Sequence, residues 1–589
     1  NYEGITPIIK RALILKDVCS QVTVRVEDDE LIVGNRSKYF CGNPIYPEWV
    51  AGNGGWIVAA VRKGEWQLRE DGLYHNPDGE ELKLTVSEQE IQDLESIQEY
   101  WKKRTISTPA DAWKPDGYDV FANLGVSSYR PGVPLITFPT GHLIAGYDRI
   151  INVGYESIRQ RAQEWIDEHE GDLMGENLDK YLFYKSIVLA AEAGTIQCTR
   201  YGEECLRKAA VCTDEKRKAE LTKMGEGLKW IAKYPARTFW EAVQATMMYQ
   251  LLLWNESRYP AMAFGRFDQY TYPLLKKELD EGTLTLDEAQ EIVDAFFLKV
   301  NCHYTPSPRA VLQTTGVGNT YQHTTIGGVY PTTGEDATNP VTYMVLESVG
   351  RLGLHDPTIS LRINKNTPLN LWDCAIETSK RVGGLPLFQN DDVIIPGLIK
   401  EVGMSLEDAR NYGIIGCQEI VGSGNDYPCP NGVHPPHSSL HFSSILVTAL
   451  NDGKNPFTGG QAKIHTGFLY EMENMDQVRT AVDRMIRYCN KWQVTVNNYT
   501  EYISAHECTH PALSLSIDGC MESGKDVTAG GAKYNSFGGT GTGLATVADS
   551  LTTIKYMCFD KKLCTTRELY DAFMANWEGY EELRQQILN

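Results

Sequence analysis

Beyond residue 300 the chain alternates short β-rich runs with helical ones, and that alternation restricts the fold more than any other feature. TTIGGVY (324–330), PTISLRIN (357–364) and NYGIIGC (411–417) are strand-like, whereas NLWDCAIETSKRV (370–382) and SLEDARNYG (405–413) have helical spacing. Such alternation predicts an α/β barrel or sheet wrapped by helices. From about 150 to 300 the pattern is helical, as in YESIRQRAQEWIDEHEG (155–171) and TLDEAQEIVDAFFLKVN (285–301). Thr285, followed by Asp287 and Glu288, predicts a helix start. Nearer the N-terminus QVTVRVEDDELIVGN (21–35) reads as strands and SEQEIQDLESIQEYWKKR (87–104) as an acidic helix. With no internal repeat, the expectation is one α/β domain over residues 1–589 with a largely helical N-terminal half.

Charge and composition exclude several classes. The formal net charge of −21 argues against a nucleic-acid footprint or a basic membrane-binding face. No apolar run reaches the roughly 20 residues of a membrane span, and NYEGITPIIKRA at the start lacks a signal-peptide pattern, so the expected location is cytoplasmic. Fourteen cysteines occur without a CxxC pair, which reads as reduced thiols rather than a disulfide framework.

One of those thiols stands apart. In NYGIIGCQEIVGSG (411–424) Cys417 and Glu419 lie two residues apart in an apolar, glycine-bounded loop. In extended chain they face the same side, about 7 Å apart at roughly 3.3 Å per residue. A small substrate could touch both, and a base beside sulfur suits removal of a hydrogen atom and a proton from neighbouring positions. A buried structural cysteine is the plainer alternative, and a Cys–His nucleophile using His434, His437 or His441 is a third.

The segment VGGLPLFQNDDVIIPGLIKEVGMSLEDARNYGIIGCQE (382–419) resembles the cysteine-loop region of glycyl radical enzymes, in the Gly-Cys-x-Glu branch of dehydratases and lyases related to pyruvate formate-lyase. TGHL (140–143), FGRFDQYTYP (264–273), TTIGGV (324–329) and SGKDVTAGGAKYN through GLATVADSL (523–551) stand in the family's order. The resemblance implies a ten-stranded α/β barrel of two antiparallel half-sheets with a central cysteine loop. It makes Cys417 the thiyl that abstracts substrate hydrogen and Glu419 the general base. It also implies a small organic substrate, no bound cofactor, a radical S-adenosylmethionine activating enzyme as partner, and a homodimer. The implied reaction is dehydration or cleavage of a C–N, C–S or C–C bond, and the alternative is decarboxylation of an arylacetate-type acid. Gly416 in place of a second cysteine speaks against acyl transfer through paired thiols.

Departures from the family narrow the chemistry. Pro260 and Ala261 stand where diol and choline lyases carry His and Ser, which disfavours glycerol, propanediol and choline. His142 remains a candidate substrate contact, with Arg258, Tyr259 and Asp356 as further candidates near the pocket; Arg258 could bind an anion bidentately or pair with Glu256. No Arg-Val-x-Gly-Tyr or -Phe segment follows the GGAKYN stretch. The expectation is therefore a glycyl radical domain outside these residues, on a separate subunit or on a continuation of the chain.

Two other motifs compete. His506-Glu507-Cys508-Thr509-His510 has the HExxH spacing of a zinc hydrolase, but Pro511 pushes His510 out of helical geometry and the two rings should diverge. GGTGTG (538–543) lacks the Lys-Ser/Thr of a phosphate loop. A scaffold that has lost catalysis is the remaining class, against which the intact Gly-Cys-x-Glu loop argues.

Overall fold

A computed structural model describes residues 4–50, 52–78, 83–128, 131–137, 139, 141–304, 320–428 and 439–589, so His434 and His437 lie outside the described residues. The chain divides into two compact units, each discontinuous in sequence: Asn1–Thr105 with Phe138–Pro428 and Ser504–Ser536, and Ile106–Thr137 with Cys429–Ile503 and Phe537–Asn589.

The first unit is organised on the helix Phe239–Glu256, which is buried at nearly every position. A helix apolar on all sides must be enclosed, and here Pro7–Gln21, Tyr147–Glu168, Glu176–Val211 and Glu215–Ile231 surround it. Met247, Met248, Leu252 and Leu253 are fully inaccessible, each contributing about 1.5–3 kcal/mol relative to exposure. The polar residues on this helix find partners. Gln244 accepts from Val33 N and donates to Val33 O, both at 2.9 Å.

That amide explains a departure from the sequence reading. Residues 21–35 run without strand pairing, because their neighbours are helices and cannot supply a ladder. Side chains satisfy the backbone instead: Gln244 at Val33, and Asn35 Oδ1 accepting from Arg25 N at 3.1 Å. The capping signals are realised, with reciprocal boxes at Ser87/Glu90 before Glu88–Trp101 and at Thr285/Glu288 before Leu286–Asn301.

After residue 320 the alternation becomes a parallel sheet. His323–Gly327 pairs with Thr358–Ile363, which pairs with Leu387–Asn390; helices Pro340–Leu352 and Leu369–Val382 make the crossovers. Tyr412–Ile415 and Glu419–Gly422 form an antiparallel hairpin. Its first strand is tied to the sheet by Ile414 N donating to Thr325 Oγ1 at 2.9 Å. Among the described residues each sheet has only two or three strands, so ladder pairing does not trace a ten-stranded closure.

Arg362 anchors this region. Its fully buried guanidinium donates to both oxygens of Asp391 at 2.8 and 3.0 Å and to Tyr412 O at 2.9 Å, and it lies 3.9 Å from the Tyr412 ring centroid.

The second unit contains the helix residues 475–503 and a parallel pair of Ser439–His441 with Thr540–Thr542. The GGTGTG stretch is thus an exposed strand leading into Leu544–Ile554. Phe121 stacks on Trp492 at 5.7 Å. No helix among the described residues is long and apolar enough to cross a membrane.

Two stability outcomes follow from these buried charges. Asp391→Asn should cost about 3–5 kcal/mol in urea unfolding, because it leaves a buried guanidinium uncompensated, while replacing both partners by apolar residues should recover much of that loss. Burial raises the Glu256 carboxyl to about 7. A raised acid is favoured in its protonated form by folding, so its contribution is fully present below the unfolded value near 4.5 and is lost as pH climbs toward 7. Glu256→Gln should flatten stability against pH in that window by on the order of 3 kcal/mol.

Candidate active site

The hairpin turn places three residues, Gly416, Cys417 and Gln418, at the tip of a strand that is itself buried throughout. Two of them have left-handed backbone: Gly416 at φ 42° and Gln418 at φ 89°, with Gln418 N closing the turn on Ile415 O at 2.9 Å. Gly416 is required for a second reason, since a Cβ there would land in the His142 ring. Gly141 is required likewise, because its Cβ would overlap the Pro260 carbonyl. The His142 segment, the 260 segment and the cysteine loop therefore approach at glycine-only distances.

Cys417 is exposed, alone in that respect among the described cysteines. Ligand atoms of His142, Cys417 and Glu419 all lie within 4.8 Å of one another, a donor set that would also accept a divalent ion. His142 Nε2 stands 3.9 Å from Glu419 Oε1, too far for a hydrogen bond. His142 Nδ1 and Glu419 Oε2 are buried without partners. Buried polar atoms left unsatisfied are costly unless a ligand or water takes them up.

Burial sets the protonation states. It drops His142 to about 3, so the imidazole is neutral. It raises the Glu419 carboxyl, and it raises the Cys417 thiol, which the Glu419 charge pushes further. The sulfur is accordingly held as S–H rather than thiolate. A protonated sulfur is a poor nucleophile and a competent hydrogen-atom donor.

His323, which sequence reasoning missed, supports the loop from beneath. Its Nδ1–H donates to Gly416 O at 3.4 Å and Nε2 accepts from Ser360 Oγ at 2.8 Å, while burial keeps the ring neutral at about 4. The available signal was polar spacing: His323 and Thr325 are two apart in a buried strand, hence on one face, and both hold the hairpin. Gln389 Nε2 donates to Gln418 Oε1 at 3.3 Å on the other side of the turn.

The other candidates have contacts of their own. Tyr259 OH donates to Glu256 Oε2 at 2.7 Å, and its ring meets His510 edge-on at 5.0 Å. Glu256 also accepts from Ala512 N at 2.7 Å. Asp356 accepts from Thr320 N at 2.8 Å, and Arg258 lines a cavity with Arg36 and Tyr46. The HExxH spacing does not survive folding. The helix stops at Glu507, and His510 caps Pro511–Ser514 with its N–H donated to both Asp526 oxygens at 3.1 Å.

Comparison with known proteins identifies the family. The profile of the family described as pyruvate formate lyase-like matches residues 1–589. The chain is 27% identical to (2S)-3-sulfopropanediol dehydratase of Klebsiella oxytoca, covering 99% of this chain and 68% of that protein. It is 29% identical to trans-4-hydroxy-L-proline dehydratase of Clostridioides difficile, covering 100% and 71% respectively. Indoleacetate decarboxylase of Tractidigestivibacter scatoligenes matches at 24% over 98% of this chain and 66% of that one. Among solved structures, the glycerol-bound B12-independent glycerol dehydratase from Clostridium butyricum superposes with a TM-score of 0.88 at 28% identity, over 100% of this chain and 70% of that one. The chain belongs to the pyruvate formate lyase-like family, in its branch of glycyl radical dehydratases and lyases.

The raised thiol gives a test that needs no turnover. Iodoacetamide should modify Cys417 before the other described cysteines, with a rate that climbs only above the ordinary thiol range. Glu419→Gln should move that profile to lower pH by removing a negative neighbour; an unshifted profile would place the carboxylate away from the sulfur.

Proposed function

We propose that Cys417 is the hydrogen-atom carrier and Glu419 the base of a radical elimination on a small organic substrate. The supporting observation is the protonated, exposed Cys417 thiol within 4.8 Å of a carboxylate and an imidazole, two of whose polar atoms are buried and unsatisfied. A glycyl radical, once installed by an activating enzyme and brought to the loop, supplies abstraction of hydrogen from the Cys417 S–H. Cys417 then takes one hydrogen atom from a substrate carbon and later returns one, which regenerates its starting state. Glu419 accepts the proton of the polar group beside that carbon as the leaving group departs. The neutral His142 orients the substrate by a hydrogen bond from or to Nδ1.

The fold reading extends the same way. Parallel bridges join Ile144 to Ala263, Ile144 to Ser423 and Gly265 to Thr324. They support reading the 144 and 263–265 segments as further staves around the cysteine loop, as a ten-stranded barrel requires.

The test uses protein supplied with a radical-bearing segment, either on a continued chain or as a separate subunit, after treatment with an activating enzyme. Cys417→Ser should retain the glycyl doublet in electron paramagnetic resonance and lose turnover, since an O–H bond does not yield its hydrogen readily. Glu419→Gln should retain the doublet and lower turnover by roughly 10²–10⁴-fold. Near-normal turnover in Glu419→Gln would remove the base assignment. Release of carbon dioxide with substrate oxygen retained would replace elimination by decarboxylation.

A further inference from the structure

The second unit carries a pair of thiols that the proposed reaction does not use. Cys558 Sγ and Cys564 Sγ lie 3.8 Å apart, in contact but unbonded. The backbone sets this approach. Helix Leu544–Ile554 runs into a π-helical turn, Lys555–Asp560, after which Lys561 N donates to Tyr556 O at 2.9 Å. Lys562 then takes a left-handed backbone, φ 53°. The chain doubles back on the Met557 carbonyl, which accepts from Leu563 N at 2.7 Å and from Cys564 N at 3.4 Å. Thr565 and Glu568 cap the next helix, Thr566–Met574, and so fix the residue just before the cap, which is Cys564.

The pair is within reach of a small solute. Cys558 is 9% exposed, but Cys564 is half-buried, and Lys561, Lys562 and Leu563 between them are exposed. A disulfide has its sulfurs about 2.05 Å apart, so each thiol has to move by only about 0.9 Å. The two sulfurs are not equivalent. Burial raises both thiols, Cys558 to about 12, while their contact disfavours ionisation of Cys558 and favours that of Cys564. Cys564 is accordingly the first nucleophile and Cys558 the second.

We propose that Cys558 and Cys564 are a reversible dithiol–disulfide pair, oxidised by peroxides, that staples the link between two helices of the second unit. The ionised Cys564 sulfur attacks a peroxide oxygen, the O–O bond breaks, and one water leaves once protonated, with Cys564 now a sulfenic acid. The Cys558 sulfur then attacks the Cys564 sulfur, the S–O bond breaks, and a second water leaves as the S–S bond forms. The two thiols have lost two electrons and two protons, and the peroxide has taken them up. The helices so joined share an apolar cavity of about 320 Å³, with Ile554 on the first, Leu569 and Phe573 on the second, and Leu446, Leu450 and Trp577 completing the wall. Oxidation thus ties the start of the second helix to the end of the first and restrains the cavity from opening.

The test needs neither activation nor substrate, so it stands apart from the reaction reading. After hydrogen peroxide and then trypsin, the wild-type chain should yield YMCFDK (556–561) joined to LCTTR (563–567), because cleavage after Lys561 and Lys562 separates the two cysteines. Dithiothreitol should part them, and the linkage should form faster as pH rises. Cys558→Ser should leave Cys564 as a sulfenic acid that dimedone captures, whereas Cys564→Ser should leave Cys558 unoxidised at the same dose. In the native wild-type chain, amide hydrogens of residues 557–574 should exchange more slowly after oxidation and recover on reduction. If either variant fails to fold, the wild-type peptide map and exchange rates decide the matter. Oxidation of Cys564 to sulfinic acid without linkage, linkage only in denaturant, or exchange unchanged by a formed link would overturn the proposal.

Discussion

The buried pair of Arg362 and Asp391 is the constraint on which the cysteine loop depends. Its guanidinium reaches the carbonyl of Tyr412, the first residue of the strand that carries the loop, and Tyr412 OH returns to Asp391 at 2.7 Å. The central strand of the parallel sheet, the start of the 391–397 helix and the base of the hairpin thus share one ionic cluster. A pair this deep adds little net stability over an apolar substitute. What it supplies is position, because a one-residue slip of the hairpin would take the Tyr412 carbonyl and hydroxyl away from the pair. Thr325 and His323 repeat the constraint nearer the tip through Ile414 N and Gly416 O.

The loop so positioned is surrounded by groups that burial keeps uncharged. His142 and His323 are depressed, and Cys417 and Glu419 are raised. Each shift has desolvation as its first cause. An ionic site of similar residues would stabilise a thiolate and favour nucleophilic attack. Here the same residue types, poorly hydrated, favour the S–H form that the proposed hydrogen-atom transfer requires.

Positive charge, by contrast, is gathered at Arg36 and Arg258 between the N-terminal stretch and the segment entering the site. Arg258 sits only two residues before Pro260. It was singled out in the sequence as a residue that could bind an anion bidentately. Its side chain lines a small cavity with Arg36.

What the sequence determined by itself was local. The capping residues at Ser87 and Thr285, the strand-like runs at 323–327, 358–363 and 412–415, and the break imposed by Pro511 are set by backbone stereochemistry and short-range hydrogen bonds. The Gly-Cys-x-Glu spacing likewise marked Cys417 and Glu419 as neighbours. Tertiary structure decided the rest. Residues 21–35 have strand composition but lie against helices, so no ladder forms. His323 is unremarkable until the sheet brings Gly416 over it, and Tyr259 and Asp356 are drawn to Glu256 and Thr320. Partner choice and desolvation depend on atoms distant in sequence, and only the folded chain brings those atoms together.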